Sequence, residues 1–142
     1  MKTKIILIAT MLMSGCIKRM QPEIYYIPLG YKGKVEVFFS IPDGKPKEQE
    51  GKFRIYKIDN NGKLYTQWKA QYGRISTENH FFMYINENGE SIQIETWGME
   101  EIVLKSSDSI GLFNEIAGNS NGQHFVKFYV GTKEDYFELN KN

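Results

Sequence analysis

The stretch KVEVFFSI (residues 34–41) decides the fold class, because apolar side chains fill every second position in it. These alternate positions are Val35, Val37, Phe39 and Ile41. A period of two is typical of a β-strand with one buried face. Phe38 occupies one of the alternate positions that are otherwise polar, so the outward face of this strand also carries an aromatic ring.

Six further segments are rich in the β-branched and aromatic residues that strands favour. They are EIYYIP (23–28), KFRIYKI (52–58), KLYTQW (63–68), HFFMYI (80–85), SIQIET (91–96) and HFVKFYV (124–130). So many short strands at close spacing predict a mainly β domain, either an antiparallel β-sandwich or a small barrel.

Turn chemistry separates several of these segments. DNNG (59–62) and NENG (86–89) each place Asn-Gly between two apolar runs, which predicts two β-hairpins. The first is expected to have a type I′ turn with a positive φ at Gly62. IPDGKP (41–46) predicts a third turn.

The last third of the chain has weaker patterns. MEEIVLKSSDS (99–109) fits either a strand or a helical turn, and EIAGNSNGQ (115–123) is loop-like in composition. A short C-terminal helix is predicted from Thr132 as N-cap, with Asp135 three residues later and Glu134 in the first turn.

The N-terminus has the three parts of an export signal. Lys2 and Lys4 precede the apolar run from 5 to 13, and small residues lead to Cys16, the one cysteine of the chain. MSGC (13–16) resembles the bacterial lipobox, which implies attachment of diacylglycerol to the Cys16 sulfur, cleavage just before Cys16, and acyl chains such as palmitate on the mature N-terminus. A plain signal peptide with an accidental cysteine is the alternative.

This leader implies a lipoprotein signal peptide over 1–15, a lipidated tether over 16–23 and a single β-rich domain over 24–142. The mature chain would carry sixteen basic and seventeen acidic residues, a net charge of −1 that argues against nucleic-acid binding. It would lack a thiol and therefore any disulfide. We expect a monomer in the cell envelope, at the outer membrane of a two-membrane cell because Ile17 follows Cys16.

Three stretches together resemble a known group of short exported bacterial domains. They are YYIPLGYKGKVEVFFSIPDGKP (25–46), RIYKIDNNGKLYTQ (54–67) and FYVGTKEDY (128–136). The group is catalogued as a domain of unknown function, number six thousand eight hundred and forty-three. One departure is EQEGKFRIY (48–56), where a second acidic or glycine residue is commoner before the arginine. The resemblance implies an exported domain with a signal or lipoprotein leader, and it carries over no catalytic residue.

Residues suited to catalysis are sparse, so the expected function is that of a non-catalytic envelope module, either structural or binding a protein or glycan. The alternative is a small envelope hydrolase built around His80 and His124. The same two histidines would form a metal site if their strands were neighbours and Glu95 or Glu78 joined them. We expect no catalytic residue, no metal and no cofactor.

The aromatic doublets predict a candidate binding surface. Neighbouring residues on a strand face opposite ways, so strands whose valines face the core must turn other rings outward. This count assigns five aromatic side chains to the outer faces: Phe38, Phe82, Tyr84, Phe125 and Tyr129. Either the terminal helix covers them with Tyr136, Phe137 and Leu139, or they bind a partner.

Overall fold

The computed structural model of the protein describes residues 20–71 and 79–141. The expected signal peptide, Cys16 and Glu78 lie outside the described residues. Ten strands are present in these ranges: β1 Glu23–Pro28, β2 Gly33–Phe38, β3 Glu48–Glu50, β4 Phe53–Lys57, β5 Lys63–Tyr65, β6 His80–Ile85, β7 Ser91–Gln93, β8 Glu95–Thr96, β9 Gly111–Ser120 and β10 Gln123–Gly131. The two helices are α1 Met99–Leu104 and α2 Lys133–Leu139.

The strands form two five-stranded sheets. Sheet 1 has the order β3-β4-β1-β6-β7, and sheet 2 has the order β5-β2-β10-β9-β8. The predicted mainly β chain with a short C-terminal helix is therefore confirmed. Both sheets are mixed rather than antiparallel, because β1 runs parallel to β4 and β6, β2 to β5, and β8 to β9.

The parallel pairs follow from how the chain changes sheets. After β1 and again after β4 the chain crosses from sheet 1 to sheet 2. These two strands run in the same direction. The DNNG turn makes the second crossing and joins β4 to β5, which lie in different sheets. The prediction of a hairpin there is wrong, although the turn itself forms, with the Gly62 amide donating to the Asp59 carbonyl at 3.0 Å.

The NENG segment does close a hairpin, as predicted. β6 and β7 pair antiparallel, and the Gly89 amide donates to the Asn86 carbonyl at 3.1 Å. The type I′ assignment of the DNNG turn is wrong, because at both of these sites the glycine, Gly62 or Gly89, is the one described residue with a positive φ. A type I′ turn needs positive φ at both central residues. Each turn instead ends in one left-handed glycine.

The main core lies between the two sheets. Ring contacts cross the interface, with Tyr25 of β1 edge-on to Phe128 of β10 at 5.8 Å and Phe82 of β6 to the same ring at 5.0 Å. The predicted inward faces of β2 and β10 are confirmed, since the residues assigned to them are buried: Val35, Val37, Phe39, Val126, Phe128 and Val130.

The predicted face of β6 is wrong. Phe82 is buried in the main core and Tyr84 packs against that core, whereas Phe81 lies on the opposite face of sheet 1. The cause is the parallel register with β1, which aligns Phe82 with Tyr25 and Tyr84 with Ile27. Aligned residues of neighbouring strands share a face.

Residues 115–123 are not the expected loop, because β9 continues to Ser120 beside β10. Glycine makes this pairing possible at position 118, where an added Cβ would lie 2.7 Å from the Phe125 ring. Gly118 and Asn119 thus belong to a strand, whereas Asn121 and Gly122, both with positive φ, form the turn that leads into β10.

A second, smaller hydrophobic cluster lies at the end of the molecule opposite to the start of β1. Trp97, Ile102, Phe113 and Tyr136 are buried there beneath α1 and α2, with Tyr129 packed against them. Helix α2 begins as predicted, since the Thr132 side chain accepts from the Asp135 amide. No helix within the described ranges is long and apolar enough to cross a membrane.

Candidate functional site

A cavity of about 350 Å³ opens between the sheets at the end where β1 begins and β9 ends. We call it the end cavity. Its polar lining comprises Glu23, Gln71, His80, Glu115, Asn119 and His124. Its apolar lining comprises Met20, Phe39, Ala70, Ala117, Phe125 and Val126. An apolar wall with a few convergent polar groups is the usual composition of a small-molecule site.

The innermost polar group of the end cavity is the Glu23 carboxylate, which is only 4% exposed. Oε1 accepts from the Tyr56 hydroxyl at 2.8 Å and from Gln71 Nε2 at 2.7 Å. Oε2 accepts from the Tyr25 hydroxyl at 3.1 Å and contacts His80 Nε2 at 3.2 Å. Four donors on one carboxylate offset the cost of removing its charge from water.

His80 lies between two carboxylates. Its Nε2 contacts Glu23, and its Nδ1 lies 3.1 Å from Oε1 of Glu115. Burial lowers the pKa of His80, but the hydrogen bond that the ring donates to Glu115 and the charges of both carboxylates outweigh it and raise that pKa above its usual 6.5. An imidazolium donates from both nitrogens, so this arrangement favours the protonated ring.

The tyrosines around Glu23 stay neutral donors. Burial and then the nearby Glu23 carboxylate raise the pKa of Tyr25 and of Tyr56 well above the ordinary value. Gln71 is held in turn by a two-way contact with the Gln21 backbone, donating to its carbonyl at 2.9 Å and accepting from its amide at 2.8 Å. The floor of the end cavity is thus a pre-arranged hydrogen-bond network.

The mouth of the end cavity is formed where β9 meets β10. His124 pairs with Asn119 across these strands, and Asn119 Nδ2 lies 3.1 Å and 3.0 Å from the two ring nitrogens. Phe125 lies beside them over Gly118. The two histidines therefore line one cavity, His80 at the floor and His124 at the mouth, although 43 residues separate them in sequence.

Glu95, one of the two acids considered as metal partners, does not join them. Glu95 lies at the far end of the molecule, where it pairs with Lys105. Within the ranges that the structure describes, no three His, Cys, Asp or Glu side chains are grouped to hold a metal ion.

The five aromatic residues predicted to form one surface are separated. Phe82 and Tyr84 face the space between the sheets, as described above. Phe38, Phe125 and Tyr129 are half-buried on the other face of sheet 2, where Phe38 stacks on Tyr65 at 5.0 Å and Tyr129 on Phe113 at 5.2 Å. Of these three residues, the C-terminal helix covers only Tyr129, which packs near Tyr136. Phe137 and Leu139 of the helix remain largely exposed.

His80 should make the stability of the protein depend on pH. Its pKa is raised on folding, so its contribution is complete below about pH 6.5 and is lost as the pH rises through the raised value. We therefore expect the free energy of unfolding to fall between pH 6.5 and 9 more steeply in the wild type than in His80→Gln. Denaturant unfolding across this range measures both slopes, and His124 is present in both proteins, so its contribution cancels. Equal slopes would contradict the assignment.

Comparison with known proteins connects this fold to a family. A model described as "Family of unknown function (DUF6843)" matches residues 19–138. No curated protein matches the chain. Among solved structures, the chain is similar to the 2.75 Å crystal structure of a "Putative Lipoprotein from Bacillus anthracis", with a TM-score of 0.55 and 20% identity over 78% of this chain and 69% of that one. This second likeness is one of fold.

Proposed function

The chain belongs to this family of unknown function, and we propose that it is a lipid-anchored binding module of the bacterial cell envelope whose ligand site is the end cavity. The observation that carries the proposal is the cavity itself, an apolar space floored by the Glu23, His80 and Glu115 network. Buried charged groups are costly unless they serve each other or a ligand, and such groups concentrate at functional sites.

The anchor in this proposal is Cys16, following a signal peptide over 1–15 and preceding a domain over 24–142. Two features support it: the lipobox-like MSGC segment and the likeness of fold to a protein described as a lipoprotein. In a cell with two membranes, Ile17 after Cys16 favours the outer one. Met20 borders the end cavity only four residues after Cys16, a span of at most about 14 Å. The cavity would thus open close to the bilayer.

Replacing the acylated residue tests the anchor. We expect Cys16→Ser to abolish cleavage and acylation, so that no mature, lipidated form appears. The measurement is metabolic labelling with a palmitate analogue, followed by fractionation and a carbonate wash. A variant that is processed normally and still resists the wash would overturn the anchor at Cys16.

A fragment screen with a cavity-blocking variant tests the ligand site. Ala117 is exposed on β9 and lines the mouth, so Ala117→Trp should obstruct the cavity without disturbing the core. Ile116 is its exposed neighbour and does not line the cavity, which makes Ile116→Trp the matched control. We expect small apolar fragments to raise the melting temperature of the wild type and the control but not of Ala117→Trp. Equal shifts in all three proteins would contradict the proposal.

The hydrolase alternative is weaker, although the structure does bring both of its histidines to one cavity. Each ring nitrogen of His80 already contacts a carboxylate, so the ring has no nitrogen available to take a proton from water. Phe38, Phe125 and Tyr129 remain the candidate surface for an envelope protein or glycan partner.

A further inference from the structure

The charged side chains that line the end cavity are mainly acidic. Among its described lining residues there is no lysine or arginine, whereas two carboxylates, Glu23 and Glu115, face each other across His80. With His80 protonated the group keeps one net negative charge. An anionic ligand would meet this charge in a partly dehydrated space, where repulsion is stronger than in water.

The two carboxylates differ in what they can still accept. Glu23 already receives four donors, as described above, and has no free capacity. Glu115 accepts from His80 alone among the described residues, and a carboxylate offers about four lone-pair sites. Its side chain is 20% exposed, so a ligand can reach it. Glu115 is therefore the acceptor that remains available to a hydrogen-bond donor entering the cavity.

The walls between Glu115 and the mouth are apolar. Phe39 and Val126 are buried core residues that border the cavity from one side, and Ala117 borders it at the mouth. Such a wall suits a hydrocarbon chain.

We infer that the end cavity binds an organic cation, with an ammonium group donating to Glu115 and an attached hydrocarbon chain packed against Phe39 and Val126. This inference rests on the proposed function, because it names the ligand class of the same cavity. The same ammonium chemistry occurs in free alkylamines and in amine-headed lipids, and the position of Met20 near the anchor makes both sources accessible.

Three probes of equal chain length separate charge from apolar burial: hexylammonium, 1-hexanol and hexanoate, titrated calorimetrically into residues 20–142 at pH 7. We expect hexylammonium to bind about 10- to 100-fold more tightly than hexanol, as for a hydrogen bond to a charged group, and hexanoate to bind most weakly. Glu115→Gln keeps the shape of the side chain and removes its charge, so it should abolish the preference for hexylammonium while hexanol binds as before.

The outcomes distinguish the inference of a cationic ligand from the proposal that the end cavity is a ligand site. If hexanol or hexanoate binds as tightly as hexylammonium, the cation inference is overturned and the ligand site stands. If none of the three probes binds, both fall. A preference for hexylammonium that survives in Glu115→Gln would overturn the role of Glu115. Flotation with phosphatidylcholine vesicles, with and without phosphatidylethanolamine, identifies the source: binding that requires the amine-headed lipid indicates a membrane ligand, and its absence beside hexylammonium binding indicates a soluble one.

Discussion

Gly62→Val should destabilise the protein by about 2–6 kcal/mol, among the largest effects of any single substitution here. Two costs combine. Gly62 has a φ of +76°, which a β-branched residue adopts only with strain. An added Cβ would also lie 1.9 Å from the Tyr31 hydroxyl and 2.4 Å from the Lys34 carbonyl oxygen. That oxygen belongs to the backbone of β2 and cannot move aside without disturbing sheet 2.

Gly89→Val is the matched control for this prediction. Gly89 has a similar φ of +82° in the other Asn-Gly turn, but an added Cβ would meet nothing within 4 Å. The control should lose only the strain energy, about 1–3 kcal/mol. Denaturant unfolding of the three proteins gives the comparison. If the two variants are equally destabilised, the close packing of Tyr31 against Gly62 is not as described.

Glu23→Ala should cost about 3–5 kcal/mol, because it removes the one partner shared by four buried donors. The His80 ring would lose one of its two carboxylates, and both tyrosine hydroxyls and the Gln71 amide would lose their acceptor. The hydroxyls of the fully buried Tyr25 and Tyr56 cannot regain water without opening the main core. The end cavity should lose its shape together with the stability.

Glu48→Ala provides the reference for an exposed carboxylate. Glu48 pairs with Lys57 at the surface, where both side chains are about half exposed, so its removal should cost less than about 1 kcal/mol. Both variants can be compared by urea unfolding at pH 6. A Glu23→Ala variant no less stable than Glu48→Ala would show that the buried network does not support the fold.

The sequence patterns were sufficient to predict which faces of β2 and β10 point into the core. In β2 the valines alternate with Lys34 and Glu36, and in β10 they alternate with aromatic residues and Lys127, so in each strand one face was clearly the more apolar. In β6, HFFMYI is apolar at both alternating sets of positions, and only its register with β1 decides between them. That register depends on a pairing between residues more than fifty positions apart, which local patterns do not contain.

The same limit applies to the candidate site. Glu23, His80 and Glu115 come from three strands, and no spacing in the sequence connects them. One clue was present at the start of β1: alternation places Glu23 on the same face as Tyr25 and Ile27, both fully buried, so a carboxylate had to enter the core. A buried acid requires partners, and His80 is aligned with Glu23 in the parallel register.

The measurement that tests the central claim most directly is a titration of ¹⁵N-labelled residues 20–142 with hexylammonium and with hexanol, followed by amide chemical shifts. If the end cavity is the ligand site, the perturbed amides should cluster at Glu115, Ala117, Gly118, Asn119 and Phe125, and Ala117→Trp should remove the perturbations. Shifts confined instead to the exposed apolar residues of α1, such as Met99 and Leu104, or no saturable shifts at all, would contradict the account.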